Sequence, residues 1–157
     1  MKNSKFDNLI ISTTDTVLGL GGRVSEDTKK LIFEIKKRDP NKKLIILVAS
    51  IEQARKFSEW NQKAEELAKK YWPGATTIVV NNQGFRMPNQ LKLLEYLEYN
   101  GPIYMTSCNI SNEPVCDNIE KAKKIFPEIK NVYNFGKMSQ KPSKIIRAED
   151  NKILREG

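Results

Sequence analysis

Short apolar runs alternate with longer segments of helical periodicity, and this alternation constrains the fold more than any other feature of the chain. Continuous apolar character predicts buried strands at Asn8–Ser12, Leu44–Ala49, Ala75–Val80 and Ile103–Thr106. Helical spacing of apolar residues predicts helices over Glu26–Lys37, from Ser50 to Trp72, from Leu91 to Asn100 and over Asp117–Phe126. Further short strands are predicted near Val132, Ile145 and Ile153. This order predicts an α/β fold with helices packed on one twisted, mostly mixed sheet.

Two stretches between these elements are rich in turn-forming residues. Thr13–Gly22 contains several glycines and Asn81–Gly84 follows a predicted strand, so we expect both to be turns. No repeat or linker divides the chain, and 157 residues is the size of one ordinary domain. We therefore expect residues 1–157 to form a single domain.

The apolar segments are too short to cross a membrane. The longest run is Leu44–Ala49, whereas a spanning helix needs about 20 apolar residues. The first dozen residues contain neither a long apolar stretch nor a small-residue cleavage site. We therefore expect a cytoplasmic protein with no membrane partner.

Histidine is absent from the chain, and its absence excludes several kinds of catalytic site. Without imidazole there is no Ser-His-Asp triad, Cys-His dyad or histidine metal site. The two cysteines, Cys108 and Cys116, lack the spacing of a zinc site or a disulfide framework. An enzyme with this sequence works by positioning, by fixed charge or through a bound cation.

The formal net charge of +8 favours an anionic partner, such as a nucleotide, RNA or an acidic membrane surface. A solvated lysine-rich surface would carry the same charge, so the charge alone does not identify the partner.

Four loop segments carry residues that suit binding or catalysis. They are Ser12–Gly21 with hydroxyls and glycines, Lys36–Arg38 with Lys42 and Lys43, the polar run Tyr104–Asn112, and the C-terminal Lys141–Arg147 with Ile153–Gly157. Each segment alone also suits an ordinary turn, a helix end with its basic residues, or a sheet edge.

Taken together, the segments resemble in order and spacing the YrdC domain, the threonylcarbamoyl-AMP synthase family. The family opening Pro-Thr-Asp-Thr-x-Tyr-Gly-Leu-Gly is matched by Thr14–Gly21, and its Lys-x-Arg-Pro by Lys36–Arg38. Trp-Pro-Gly-x-x-Thr is matched by Trp72–Thr77, Val-x-Arg-x-Pro by Phe85–Pro88, Thr-Ser-Ala-Asn-x-Ser by Thr106–Ser111, Pro-Ser-Thr by Pro142–Lys144 and Ile-Leu-Arg-x-Gly by Ile153–Gly157. The chain departs from these patterns at Thr13, Leu18, Pro40, Lys43 and Lys144.

The resemblance implies that L-threonine, bicarbonate or CO2, and ATP are converted to threonylcarbamoyl-AMP and pyrophosphate. It further implies that partner enzymes transfer the threonylcarbamoyl group to tRNA, and the basic charge makes direct tRNA binding possible. Mg²⁺ is expected to arrive with ATP, with no metal site built by the protein. The chemistry suits a histidine-free site, because the threonine amine and its carbamate are the nucleophiles.

The same resemblance implies a role for each candidate site residue. Lys36 and Arg38 are the expected catalytic residues, which together with Lys42 contact the triphosphate. Thr14, Thr16, Arg86, Ser107 and Ser143 are expected to bind L-threonine, with Arg86 on its carboxylate. Arg38, Lys42, Asn109 and Arg155 are expected to bind the nucleotide.

Two other functions remain open from the sequence. One is an RNA-binding module of the same fold without synthase activity, whose binding would fall steeply with salt. The other is a carbamoyl-transfer domain of related architecture, which normally belongs to a much larger chain.

Overall fold

The computed structural model describes residues 5–39 and 43–157. The strands are β1 (Leu9–Ser12), β2 (Gly19–Arg23), β3 (Ile45–Leu47), β4 (Thr76–Val80), β5 (Gln83–Arg86), β6 (Ile103–Ser107), β7 (Asn131–Tyr133), β8 (Lys144–Arg147) and β9 (Lys152–Arg155). The helices are α1 (Glu26–Lys36), α2 (Ile51–Arg55), α3 (Gln62–Tyr71), α4 (Leu91–Asn100) and α5 (Ile119–Ile125). None of the helices within the described ranges is both long and apolar enough to cross a bilayer.

All nine strands join in one sheet with the order β7-β1-β2-β6-β3-β5-β4-β8-β9. The pairs β1–β7, β3–β5 and β4–β8 are parallel, and the other neighbours are antiparallel. The predicted mixed α/β sheet is therefore confirmed. Because β6 and β3 lie at its centre, segments that are distant in the chain become neighbours there.

The two faces of the sheet are covered differently. Successive residues of a strand point to opposite faces, and the core divides accordingly into two clusters. Leu9 and Ile11 pack in the larger cluster, to which α1, α3 and α5 contribute buried residues. Ile10 and Met105 pack in the smaller cluster, beneath α4. Since α4 is the helix that contributes to this smaller cluster, much of that face is left for a cavity.

All the helices of the described residues except α4 begin after a residue whose side chain caps them. Ser25 caps α1 by accepting a hydrogen bond from the Thr28 amide, and Ser50 caps α2 through the Gln53 amide. Helix α1 ends at Lys37, which takes the left-handed conformation with φ 55°.

The prediction of turns over Thr13–Gly22 and Asn81–Gly84 was partly wrong. Gly19–Arg23 forms β2, although glycine is a poor strand former. Glycine is needed at positions 19 and 21 because the neighbouring strand β6 lies too close for larger side chains. The second turn is confined to Asn81 and Asn82, both with positive φ, and Gln83 already pairs with Val80. A two-residue hairpin turn of this kind leads directly into β5.

Candidate functional site

A cavity of about 810 Å³ lies on the face of the sheet that α4 covers only in part. Six strands, β2, β3, β4, β5, β6 and β8, each contribute floor residues to it, among them Gly19, Ile45, Thr77, Arg86, Met105 and Ile145. The register pairs Ile45 with Met105 and Thr77 with Ile145, so these side chains share one face. The walls come from loops that follow or precede these strands.

The loop between β1 and β2 supplies a row of hydroxyls to the cavity. Thr14 Oγ1 donates to the Val17 carbonyl at 2.7 Å and lies 3.2 Å from Thr16 Oγ1. Thr16 Oγ1 in turn accepts a hydrogen bond of 3.0 Å from Arg86 Nη2. Both threonines are buried, so the loop is held by its own polar groups and not by solvent.

Arg86, at the end of β5, is the most enclosed cation that lines the cavity. Its side chain is 3% exposed, and its Nη1 donates to Asp15 Oδ1 at 2.7 Å and to the Gly74 carbonyl at 3.0 Å. An arginine can be buried in this way because its guanidinium keeps its charge and here has acceptors on both of its terminal nitrogens.

Lys36, the last residue of α1, lies behind the cavity wall. Its side chain is 1% exposed, and its ammonium donates to Thr106 Oγ1 at 3.2 Å, to the Ser107 carbonyl and to Asn109 Oδ1 at 3.0 Å. Ser107 Oγ also donates to Asn109 Oδ1, at 2.7 Å. The lysine thus ties α1 to the loop after β6 and fixes the groups that this loop presents.

Arg38 lines the cavity two residues further along the chain. Its Nη1 donates to Thr106 Oγ1 at 3.4 Å and its Nη2 to the Lys43 carbonyl at 2.9 Å. Burial lowers the pKa of Arg38, although an arginine stays protonated throughout the working range of proteins. Its buried Nε has no acceptor among residues 5–39 and 43–157.

A third group of polar side chains closes the far side of the cavity. Ser143 Oγ lies 2.7 Å from Thr77 Oγ1 and accepts from Arg155 Nη2 at 3.2 Å. Arg155 also donates through Nε to the Ser143 carbonyl at 2.9 Å. Burial, and then repulsion from Arg86, lowers the pKa of Arg155.

The structure brings most of the predicted site residues together. Seven of them line the cavity: Thr14, Thr16, Arg38, Arg86, Ser107, Ser143 and Arg155. Lys36 and Asn109 stand behind the wall, joined to it through Thr106 and Ser107, so Arg38 and Asn109 lie on the same side of the molecule. Lys42 falls outside the described residues.

The site contains residues whose roles had not been predicted from the sequence. Those that line the cavity are Thr77, Thr106, Asp117 and Gln140. Asp15, between the two threonines, contacts the lining residue Arg86. Asp15 lies in the Thr-Asp-Thr motif of Thr14–Gly21. The signal that could have identified its role is that Arg86, expected in the same site, needs an anionic partner when it is buried. Within residues 5–39 and 43–157, no cluster of three or more acidic or cysteine side chains is arranged to hold a metal ion.

These features define a class of protein: an α/β fold whose mixed sheet carries a cationic, hydroxyl-lined cavity on its partly open face. A model of the Sua5/YciO/YrdC family, described as "Telomere recombination", matches residues 4–157. The chain belongs to this family, as its motifs predicted.

Named relatives and solved structures agree with this membership. The chain is 29% identical over 166 residues to a putative threonylcarbamoyl-AMP synthase of Methanocaldococcus jannaschii, an alignment that covers 95% of this chain and 79% of that protein. It is 38% identical over 125 residues to the threonylcarbamoyl-AMP synthase of Pyrococcus abyssi, covering 68% of this chain and 36% of the other. The structure of P. abyssi Sua5 complexed with L-threonine superposes with a TM-score of 0.84 at 30% identity over 96% of this chain.

The chain is shorter than some of these relatives. It spans 51% of the crystallised Sua5 chain and about a third of the P. abyssi synthase as aligned, at 36%. The similarity therefore concerns the portion of those proteins that contains the cavity fold.

Proposed function

We propose that this chain forms threonylcarbamoyl-AMP and pyrophosphate from L-threonine, bicarbonate or CO2, and ATP. The observation that carries the proposal is the gathering of seven expected substrate residues around one cavity of about 810 Å³. Relatives that are named threonylcarbamoyl-AMP synthases, and a Sua5 structure that contains L-threonine, support the same activity.

The amino acid fits the part of the cavity that is rich in hydroxyls and arginine. Arg86 is suited to the threonine carboxylate because a guanidinium can offer a carboxylate planar hydrogen bonds. Thr14, Thr16 and Ser143 surround it with hydroxyl groups that can accept from an ammonium or pair with the substrate hydroxyl.

The nucleotide fits the part of the cavity that Arg38 and Lys43 line, with Arg155 opposite. Preorganised positive charge is the main means by which a protein stabilises the transition state of a transfer at phosphorus. We propose that Mg²⁺ enters as part of the substrate, on the triphosphate oxygens of ATP, and that the protein cations offset the remaining charge.

The proposed reaction needs no nucleophilic side chain. The threonine amine attacks CO2 and loses a proton, which gives a carbamate. A carbamate oxygen then attacks the α-phosphorus, and the bond from this phosphorus to the bridging oxygen of the leaving group breaks to release pyrophosphate. The protein contributes the approach of the two substrates and the charge around the phosphates.

The direct test is pyrophosphate release from purified protein supplied with ATP, Mg²⁺, bicarbonate and L-threonine. We expect release that depends on threonine, and a product that contains labelled threonine and AMP. Arg38→Gln should lower the rate on the order of 100-fold, the loss found when one preorganised donor is removed. Arg147→Gln, the same change at an exposed position outside the cavity, should leave the rate unchanged.

A different outcome would favour another function. RNA binding that weakens steeply with salt, without threonine-dependent release of pyrophosphate, would support an RNA-binding module in place of the synthase. If the synthase activity is found, its product requires partner enzymes that transfer the threonylcarbamoyl group to tRNA. Direct contact with tRNA through the basic surface, and a cytoplasmic location, are parts of the same proposal.

A further inference from the structure

Asp15 joins more segments of the cavity wall than its neighbours in the threonine-rich loop. Its Oδ1 accepts from Arg86 Nη1 at 2.7 Å, and its Oδ2 accepts from the Asn89 amide at 2.8 Å. Its backbone carbonyl accepts from the Ser139 amide at 3.0 Å. The residue thus connects the loop after β1, the end of β5, the approach to α4 and the segment before β8.

These contacts fix the orientation of the Arg86 guanidinium. Asp15 and the Gly74 carbonyl hold Nη1, and Thr16 Oγ1 holds Nη2 at 3.0 Å. A planar group held at both terminal nitrogens cannot turn about its long axis, so the edge that it offers to a ligand is set before the ligand arrives. The buried Nε of Arg86 has no acceptor in the part of the chain that the structure describes.

Asp15 also offsets the charge of Arg86. The two side chains are 14% and 3% exposed, and an ion pair at 2.7 Å in such surroundings is poorly screened by water. Arg38, Lys43 and Arg155 form no comparable ion pair among the described residues. The uncompensated positive charge of the cavity therefore lies on those three side chains.

We propose that Asp15 is a positioning residue that orients Arg86 toward the amino-acid carboxylate. The proposal rests on the proposed function. Arg86, paired with Asp15, selects its ligand by geometry, whereas Arg38 and Lys43, which form no ion pair among the described residues, attract the more highly charged nucleotide by net charge.

The test is the substitution Asp15→Asn, which keeps the size of the side chain and removes its charge. We expect the KM and the dissociation constant for L-threonine to rise on the order of tenfold or more, because the single oxygen of an amide cannot accept from both Arg86 Nη1 and the Asn89 amide, and the guanidinium is held less firmly. The KM for ATP should change less than about threefold, since a residue that acts only by positioning Arg86 leaves the nucleotide contacts intact. Equal losses for both substrates, or no loss, would overturn the proposal.

A double-substitution cycle separates positioning from general damage to the fold. If Asp15 acts through Arg86, Asp15→Asn in an Arg86→Gln background should add nothing to the loss in threonine affinity. Additive losses would show that Asp15 acts independently of Arg86 and would contradict the proposal. The double variant buries neither charge. Its threonine affinity can therefore be compared with the affinity of Arg86→Gln even if the single Asp15→Asn variant does not fold.

Asp150→Asn is the matched control, because it alters an exposed Asp-Arg pair in the turn between β8 and β9. It should leave both KM values unchanged. If the unaltered protein neither binds threonine nor releases pyrophosphate, the proposed function itself fails. If it does both and Asp15→Asn behaves like it, only the role of Asp15 fails.

Discussion

Gly21→Ala should destabilise the protein far more than the same change at Gly19, two residues earlier in β2. A Cβ atom at Gly21 would lie 2.0 Å from the Tyr104 carbonyl oxygen, a backbone atom of the neighbouring strand β6. A Cβ atom at Gly19 would meet Met105 Sδ at 2.3 Å, but methionine is flexible and can turn away. The two sites differ mainly in whether the obstacle can move.

The expected loss of stability at Gly21 follows from the backbone hydrogen bonds that break when β2 and β6 move apart. Ordinary contact begins at 3.4 Å, so relief of the clash at Gly21 requires β2 and β6 to move apart by more than 1 Å at the centre of the sheet. Each buried backbone group that loses its partner costs about 1–3 kcal/mol. Loss of two such groups gives about 2–6 kcal/mol, out of a total stability of about 5–15 kcal/mol for a domain. At Gly19, overpacking costs about 1–3 kcal/mol, and the lower chain entropy of alanine offsets about 0.5–1 kcal/mol of it.

Equilibrium unfolding in urea measures this difference directly. Trp60 and Trp72 stack with their ring centroids 5.4 Å apart, and they provide a fluorescence signal from the core. We expect the free energy of unfolding to fall by about 2 kcal/mol more for Gly21→Ala than for Gly19→Ala. A loss of under about 1 kcal/mol at Gly21, or an equal loss at both sites, would refute the close approach of β2 to β6.

Three further predictions concern buried or paired side chains. Burial raises the pKa of the Cys108 thiol. The stabilisation by this neutral thiol is therefore complete below the unfolded pKa of about 8.5 and declines as the pH rises above that value. Cys108→Ala should reduce this alkaline loss of stability, measured as urea midpoints between about pH 8 and 10. Lys36→Met removes the donor shared by Thr106, Ser107 and Asn109, and should lower the free energy of unfolding by about 2–4 kcal/mol in urea; unchanged stability would contradict the structural role of the ammonium. Hydrogen bonds from Arg55 and Trp60 hold the pKa of Glu65 at about 2. The stabilisation by the Glu65 carboxylate is therefore present above the unfolded pKa of about 4.3 and is lost as the pH falls toward 2. Between these two pH values, the urea midpoint of Glu65→Gln should depend less on pH than the urea midpoint of the unaltered protein.

Helical spacing predicted α1, α4 and α5, and continuous apolar runs predicted most strands, because these elements bury regular apolar surfaces. Helix α1 is an example: its predicted start at Glu26 agrees with the structure, and its end differs by one residue. The helical stretch predicted from Ser50 to Trp72 is divided in the structure into α2 and α3. Strand β2 could not be predicted in this way, since Gly19, Gly21 and Gly22 have no side chains to form a pattern. Its place in the sheet is determined by the close approach of β6, a contact between segments more than 80 residues apart.

The candidate site was predictable as a set of residues but not as an arrangement. Motif order identified Arg38, Arg86 and Ser143, which the fold then brings to one cavity. Helical spacing places Lys36, but not Lys37, on the buried face of α1, four residues after Ile32. It does not show how a lysine is tolerated there, because a buried ammonium needs acceptors around it, and these come from Thr106, Ser107 and Asn109 only after folding.

The C-terminal residues lie against the cavity, and this has a practical consequence for work with the protein. Arg155 lines the cavity, and Gly157 packs beside the backbone of Lys144. A purification tag or fusion partner joined after residue 157 therefore starts beside residues that line the cavity, where a flexible or charged peptide can obstruct access. Kinetic measurements should use protein without such an addition, or compare both forms.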